Sequence, residues 1–137
     1  MAKSFKVSIV TAEQTLLETD AVSLTVPGIA GYLGILANHA PLVTALVPGT
    51  LTLKEAEGGP ASVFAVSNGF LEVARNQVSV MVDSCEPAPD IDVTRAEKAL
   101  ERAKERLAHR EDGVDVGRAE LAMARAKARL MASRKRH

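Results

Sequence analysis

Apolar and polar positions alternate with a period of two through the first part of the chain. Phe5, Val7 and Ile9 are separated by Lys6 and Ser8, and Val22, Leu24 and Val26 by Ser23 and Thr25. Leu51 and Leu53 flank Thr52, and Val78, Val80 and Val82 are separated by Ser79 and Met81. Successive side chains of a strand point to opposite faces, so this pattern turns one face inward and the other outward. Turn signals punctuate it at Pro27-Gly28, Pro48-Gly49, Gly58-Gly59-Pro60, Asn68-Gly69 and Arg75-Asn76. Short strands between such signals predict an antiparallel sandwich or barrel. Asn68-Gly69 is an expected tight turn, because both residues tolerate positive φ.

The pattern changes after Glu86-Pro87-Ala88-Pro89-Asp90, which reads as a linker because proline ends strand pairing. Asp92 is placed to cap a helix on which Ala96, Ala99, Leu100, Ala103 and Leu107 recur at helical spacing. A break at Asp112-Gly113 precedes a second helix, with Ala119, Ala122, Ala126 and Leu130 on one stripe. Two helices about a short break predict an antiparallel hairpin. The expected organisation is a β domain over residues 1–86, a linker over 87–91 and a two-helix hairpin over 92–137. The inward positions of the hairpin are mostly alanine, which favours helix but buries little apolar area. Helix chemistry leaves two readings level: an element whose docking responds to conditions, or an ordinary alanine-rich pair resting on the sandwich.

Composition sharpens this division. The 137 residues suit one compact domain, or a small domain with an appendage. A formal net charge of zero hides an asymmetry: residues 1–91 carry 4 basic and 9 acidic side chains, residues 92–137 carry 13 and 8. The basic half favours an acidic partner or a phosphate. A single cysteine, Cys85, excludes an intrachain disulfide framework and fits a reducing compartment. No charged stretch followed by an apolar core marks a secretory signal. Residues 21–53 carry no formal charge with His39 neutral, but Pro27, Pro41 and Pro48 and several glycines interrupt the run. A spanning helix needs about 20 continuous apolar residues. The stretch therefore reads as the uncharged side of a soluble β domain, suited to docking.

Candidate catalytic chemistry is sparse. His39, His109 and His137 are scattered, and no metal-ligand, nucleophile-elbow or phosphate-loop pattern appears. Cys85 reads as a buried strand-end residue rather than a nucleophile, and His39, ahead of Ala40-Pro41, as a structural histidine in a turn. Neither a catalytic centre nor a metal site is expected.

Gly34-Ile35-Leu36, then His39-Ala40-Pro41-Leu42, then Pro48-Gly49 resembles the signature of the ε subunit of bacterial rotary ATP synthases. The likeness runs the length of the chain, through the opening VSIVTAEQTLLE, the VSNGFLEV segment read as a hairpin, the proline stretch and the terminal helices. It implies a ten-stranded antiparallel β-sandwich at the foot of the central stalk, bound to the γ subunit and the c-ring, with Gly31, Tyr32, Leu33, His39 and Pro41 at the rotor and stalk interface. Tyr32 stands where relatives often carry a glutamate. It also implies a non-catalytic subunit at the cytoplasmic face of the bacterial plasma membrane, peripheral to a complex that usually couples to protons. The hairpin would fold against the sandwich or extend along γ towards the α and β subunits, inhibiting ATP hydrolysis when extended.

Within that resemblance, Ile91-Asp92-Val93-Thr94-Arg95-Ala96 matches the family's nucleotide motif, with Glu86, Arg102, Arg125 and Arg129 as its accompanying residues. ATP is the implied regulatory ligand. Arg95 and Arg102 are seven apart and Arg125 and Arg129 four apart, so each pair shares a helix face. Folding the chain about residue 112 sets position 95 level with 129 and 99 with 125. Four guanidiniums then cluster, repelling one another without an anion and offering planar donors to a triphosphate. The competing readings are an Asp92 that only caps with arginines facing water, a passive coupler without nucleotide response, and a basic hairpin that binds nucleic acid. The hairpin has no aromatic residue, which argues against base stacking.

Overall fold

The computed structural model describes residues 3–110 and 113–135. Asp112, half of the expected break, and His137 lie outside the described residues. Ten strands come first: β1 (Phe5–Val10), β2 (Thr15–Ala21), β3 (Ser23–Gly28), β4 (Gly31–Ile35), β5 (Leu42–Leu46), β6 (Gly49–Lys54), β7 (Ala61–Val66), β8 (Gly69–Ala74), β9 (Gln77–Val82) and β10 (Cys85–Pro87). A 3-10 turn over Ala88–Asp90 leads to α1 (Val93–Ala108) and α2 (Val116–Lys135).

The strands pair in the order β10-β7-β6-β3-β5-β8-β9-β1-β2, with β4 also on β3. β3 and β5 meet at one paired position, Gly28 opposite Leu46, and the sheet folds there into two layers. The alternating residues fill the space between them: Phe5, Val7 and Ile9 of β1, Leu24 and Val26 of β3, Leu51 and Leu53 of β6, and Val78, Val80 and Val82 of β9 share one buried cluster. The expected antiparallel sandwich is present with one exception, since β1 runs parallel to β9.

The turn chemistry is redistributed. Arg75 and Asn76 hold φ of 53° and 60° and join β8 to β9 as a tight hairpin. The Asn76 side chain then ties down its surroundings. Its Oδ1 accepts from the Asn38 N–H at 2.7 Å, and its Nδ2 donates to the Ser4 carbonyl at 2.9 Å. Asn68-Gly69 is not the tight hairpin turn that its composition suggests. β7 pairs with β6 and β10, whereas β8 pairs with β5 and β9, so the segment carries the chain between layers. Gly69 has no positive φ; its lack of a side chain matters because a Cβ there would collide with the Met81 carbonyl oxygen and the Val82 Cα.

The stretch read as a linker is built into the fold. Cys85, Glu86 and Pro87 pair with Val66, Ala65 and Phe64 as an edge strand, where the missing proline N–H is tolerated. Ala88 and Ile91 are buried with Val63, Ala65 and Ala132. α2 lies against β6 and β7, and α1 packs on α2. The expected single stripe on α2 is also incomplete. At about 100° per residue, Ala128 and Ala132 lie roughly half a turn from Ala119, Ala126 and Leu130, and all five are buried. The helix is therefore covered on two opposite sides. α1 buries only the stripe expected of it, with Ala96 and Ala103 at its centre.

Gly69→Ala forces backbone to move in two paired strands. We expect a loss of about 2–3 kcal/mol, the scale of a strained core insertion, read as a lower urea midpoint with an unchanged slope.

Candidate functional site

The start of α1 is fixed by Asp92, whose carboxylate accepts from the Arg95 N–H at 3.0 Å with extended backbone at the cap. Ile91, immediately before it, is buried under the 3-10 turn and anchors this end of the helix. Between the cap and β10 opens a cleft of about 480 Å³, lined in part by Glu86, Asp92, Arg95, Ala96, Arg102 and Arg129. Six of the eight residues singled out for an anion site thus border one space, while Ile91 is buried with Val63, Ala65, Ala88 and Ala132 and does not line it. Ser84, Cys85 and Asp90 also line it and were not assigned there from sequence. Their signal was adjacency alone, since Ser84 and Cys85 directly precede Glu86 and Asp90 closes the proline stretch.

The arginines are not equivalent. Arg129 Nε donates to Glu86 Oε1 at 2.8 Å, joining α2 to β10. Arg125 does not reach the cleft. It borders a separate cavity of about 10 Å³, room for one water molecule, shared with Ser67, Ser84, Glu86 and Arg129. The expected cluster of four guanidiniums is therefore split, with Glu86 and Arg129 on the boundary. Among the described residues, no ion pair engages Arg95, Arg102 or Arg125. Arg95 and Arg102 share the cleft lining with the carboxylates of Glu86, Asp90 and Asp92 but pair with none of them, which leaves their planar donors available to a polyanion. Cys85 completes the wall. Burial and the neighbouring Glu86 charge push its thiol up to about 11, so it is a protonated, unreactive group at neutral pH.

The second set of sequence candidates lies elsewhere on the sandwich. Gly31, Tyr32 and Leu33 open β4, while His39 and Pro41 follow it in the loop to β5. Gly31 has φ of 129°, a conformation reserved for glycine. Tyr32 is 53% exposed, yet its hydroxyl turns inward, accepting from the Thr50 N–H at 3.1 Å and sharing a hydrogen bond with Thr50 Oγ1 at 3.2 Å. The ring is held at the surface by its own tip. His39 Nδ1 lies 2.7 Å from the Ala40 carbonyl, in keeping with a structural role in the turn.

One further surface escaped the sequence reading. Ala45 pairs with Phe70, Phe70 with Met81 and Met81 with Val10 across four adjacent strands. Phe70 and Met81 are exposed, and with Ile29 they border an apolar groove of about 670 Å³. Alternation alone marks these residues as outward-facing, but only the strand order sets them in one row. Among the described residues, no three His, Cys, Asp or Glu side chains form a metal site, and no helix is long and apolar enough to cross a membrane.

The division into sandwich and helices coincides with two family models. Residues 4–88 match the β-sandwich domain of the ATP synthase delta/epsilon chain, and residues 90–134 match its long α-helix domain. The chain belongs to the ATP synthase delta/epsilon family. An ATP synthase epsilon chain of Moorella thermoacetica is 46% identical over 81% of this chain and 82% of its own. One of Desulfosudis oleivorans is 42% identical over 78% and 80% respectively. Among solved structures, a chain in the Euglena gracilis mitochondrial ATP synthase (OSCP/F1/c-ring) superposes with a TM-score of 0.83 at 25% identity, covering 95% of this chain and 81% of that one. As a delta/epsilon chain, the protein is a non-catalytic subunit of the rotary complex and belongs to its central stalk.

The thiol in the cleft provides a check on its burial. A value raised from 9.0 to about 11 leaves about a hundredfold less thiolate at pH 8 than an ordinary cysteine. Alkylation of Cys85 should be slower by that order, with its inflection near pH 11. The sign follows from linkage: the folded state retains the proton longer, so its contribution to stability is complete below about pH 9 and lost by about pH 11.

Proposed function

We propose that this subunit joins the γ subunit to the c-ring at the cytoplasmic face of the bacterial plasma membrane, in a proton-coupled synthase, and that its hairpin is an ATP-responsive brake. In the compact form the hairpin rests on β6 and β7. In the extended form it runs along γ to the α and β subunits and inhibits ATP hydrolysis. The observation that carries the sensor reading is the cleft at the α1 cap, where Arg95 and Arg102 have no ion-pair partner among the described residues. A triphosphate there meets planar, charge-assisted donors, and Asp92 is at hand for a base or ribose hydroxyl.

The energetic scale suits a switch. The hairpin docks largely through alanines, which bury little area each. A ligand at about 100 times its dissociation constant favours the state that binds it by about 2.7 kcal/mol. That is large against such a contact, so high ATP holds the hairpin down and low ATP releases it. The basic surplus of residues 92–137 suits an acidic track in the catalytic head. A nucleotide-independent coupler remains the second reading, and the Glu86–Arg129 pair favours it, because that pair ties the hairpin without any ligand.

Calorimetric titration of ATP into the full chain separates these. We expect saturable heat selective over GTP and at least about a tenfold affinity loss in Arg102→Ala, the size of one charged hydrogen bond; no binding at millimolar ATP sinks the sensor reading. The apolar row offers the γ contact. Phe70→Glu should leave the fold intact and weaken capture by purified γ by about tenfold or more, as for a central aromatic anchor; undiminished capture would move γ to another face.

A further inference from the structure

Glu86 occupies an unusual position. It sits in an edge strand of three residues, borders the anion cleft on one side and the small Arg125 cavity on the other, and is bonded to Arg129 between them. The strand is itself held from behind. The Ser84 N–H donates to Ser67 Oγ at 2.7 Å, and the Ser67 N–H donates to the Ser84 carbonyl at 3.1 Å. The carboxylate is therefore presented from a fixed backbone. Arg129 lies on α2, one turn after Arg125, next to the buried Ala128 and Leu130. The remaining described ties between α2 and the sandwich are apolar contacts of small side chains, centred on Ala132 with Val63 and Ala65.

We propose that the Glu86–Arg129 pair is a clasp that closes the hairpin on the sandwich without ligand and keeps the arginines in two groups, so that a polyphosphate gathers them only by displacing Glu86 from Arg129. The second half rests on the nucleotide reading given above; the first does not. Physically, Arg95 and Arg102 make the first encounter at the cleft. Arg129 joins them when its bond passes from carboxylate to phosphate, an exchange between two acceptors of like charge. Arg125, four residues earlier on the same helix, is next in reach. The clasp then has two closed forms, one tied to Glu86 and one tied to the ligand. Glu86 thereby competes with the ligand, and its charge lowers polyanion affinity while holding the empty hairpin in place.

The two side chains are 37% and 38% exposed, so solvent screens the pair and its effect is moderate. Hydrogen exchange of the ligand-free full chain reads the first half. In Glu86→Gln and in Arg129→Ala, α2 amides should exchange about twofold to fivefold faster, the range for a screened ion pair, while β6 and β9 amides stay unchanged. The charge-reversed double variant, Glu86→Arg with Arg129→Glu, should restore the slow rate. Titration with inorganic tripolyphosphate reads the second half, with Glu86→Gln expected to bind about fivefold tighter than the unaltered chain. Unchanged α2 exchange in both single variants overturns the clasp. Faster exchange with equal or weaker tripolyphosphate binding overturns the displacement step. Faster exchange in a chain that binds neither tripolyphosphate nor ATP leaves the clasp standing and removes both the displacement step and the nucleotide sensor.

Discussion

The seating of α2 on β6 and β7 is the contact on which the rest of the molecule depends. α1 reaches the sandwich chiefly through α2, and the cleft at the α1 cap takes Arg129 of its lining from α2. On the sheet side Ala132 meets Val63 and Ala65, and the opposite buried side of α2 is again mostly alanine. Small side chains allow close approach of helix to sheet and helix to helix, yet each contributes little apolar area. The result is a well-formed helix in a shallow energetic seat.

Electrostatics act on this seat unevenly. The sandwich is acidic and the hairpin basic, so long-range attraction favours the docked form, while like charges within the hairpin oppose their own crowding. Glu86 is where these tendencies meet. It provides a carboxylate beside a small cavity that two arginines of α2, Arg125 and Arg129, also border. Two strands away, across Ala65 to Thr50, lies a stretch without charge, residues 21–53. There Tyr32 is fixed by Thr50, and Gly49 is kept bare because a Cβ would meet the Tyr32 hydroxyl and Pro27.

Much of this was readable in the residues, and the failures have physical causes. Period-two alternation located the core of β1, β3, β6 and β9, because burial on one face leaves a direct imprint on sequence. The alanine and leucine spacing of α1 was equally plain, since that helix has a single buried side. α2 was half legible, because burial on two sides blurs the stripe that periodicity detects. The Asn68-Gly69 crossing looked like a hairpin because turn composition reports local bending and not which strands pair afterwards. The parallel β1–β9 pairing leaves no local mark at all. Glu86 to Asp90 read as a linker because proline signals a broken ladder, but an edge strand tolerates it on its open side. For the site, helix spacing drew Arg95, Arg102 and Arg129 to one cleft; it missed that Arg125 borders a separate cavity, since spacing along a helix says nothing of how a neighbouring strand divides the space beside it.

The pairing of β1 beside β9 has a consequence for how the chain reaches this shape. Lys6 faces Gln77 across that ladder, so the second layer closes only after a loop of some seventy residues has been gathered. Helix α1 and α2, by contrast, need only neighbours in sequence. Contacts of such different range form at very different speeds. The hairpin can coil early, and its seat on β6 and β7 is itself a local pairing, with Lys54 opposite Ala61, so neither waits for the long closure. The surface that seats the helices and the ladder that closes the sheet are thus set by contacts of different range, and α2 has strands to dock on before the β1–β9 pairing is complete.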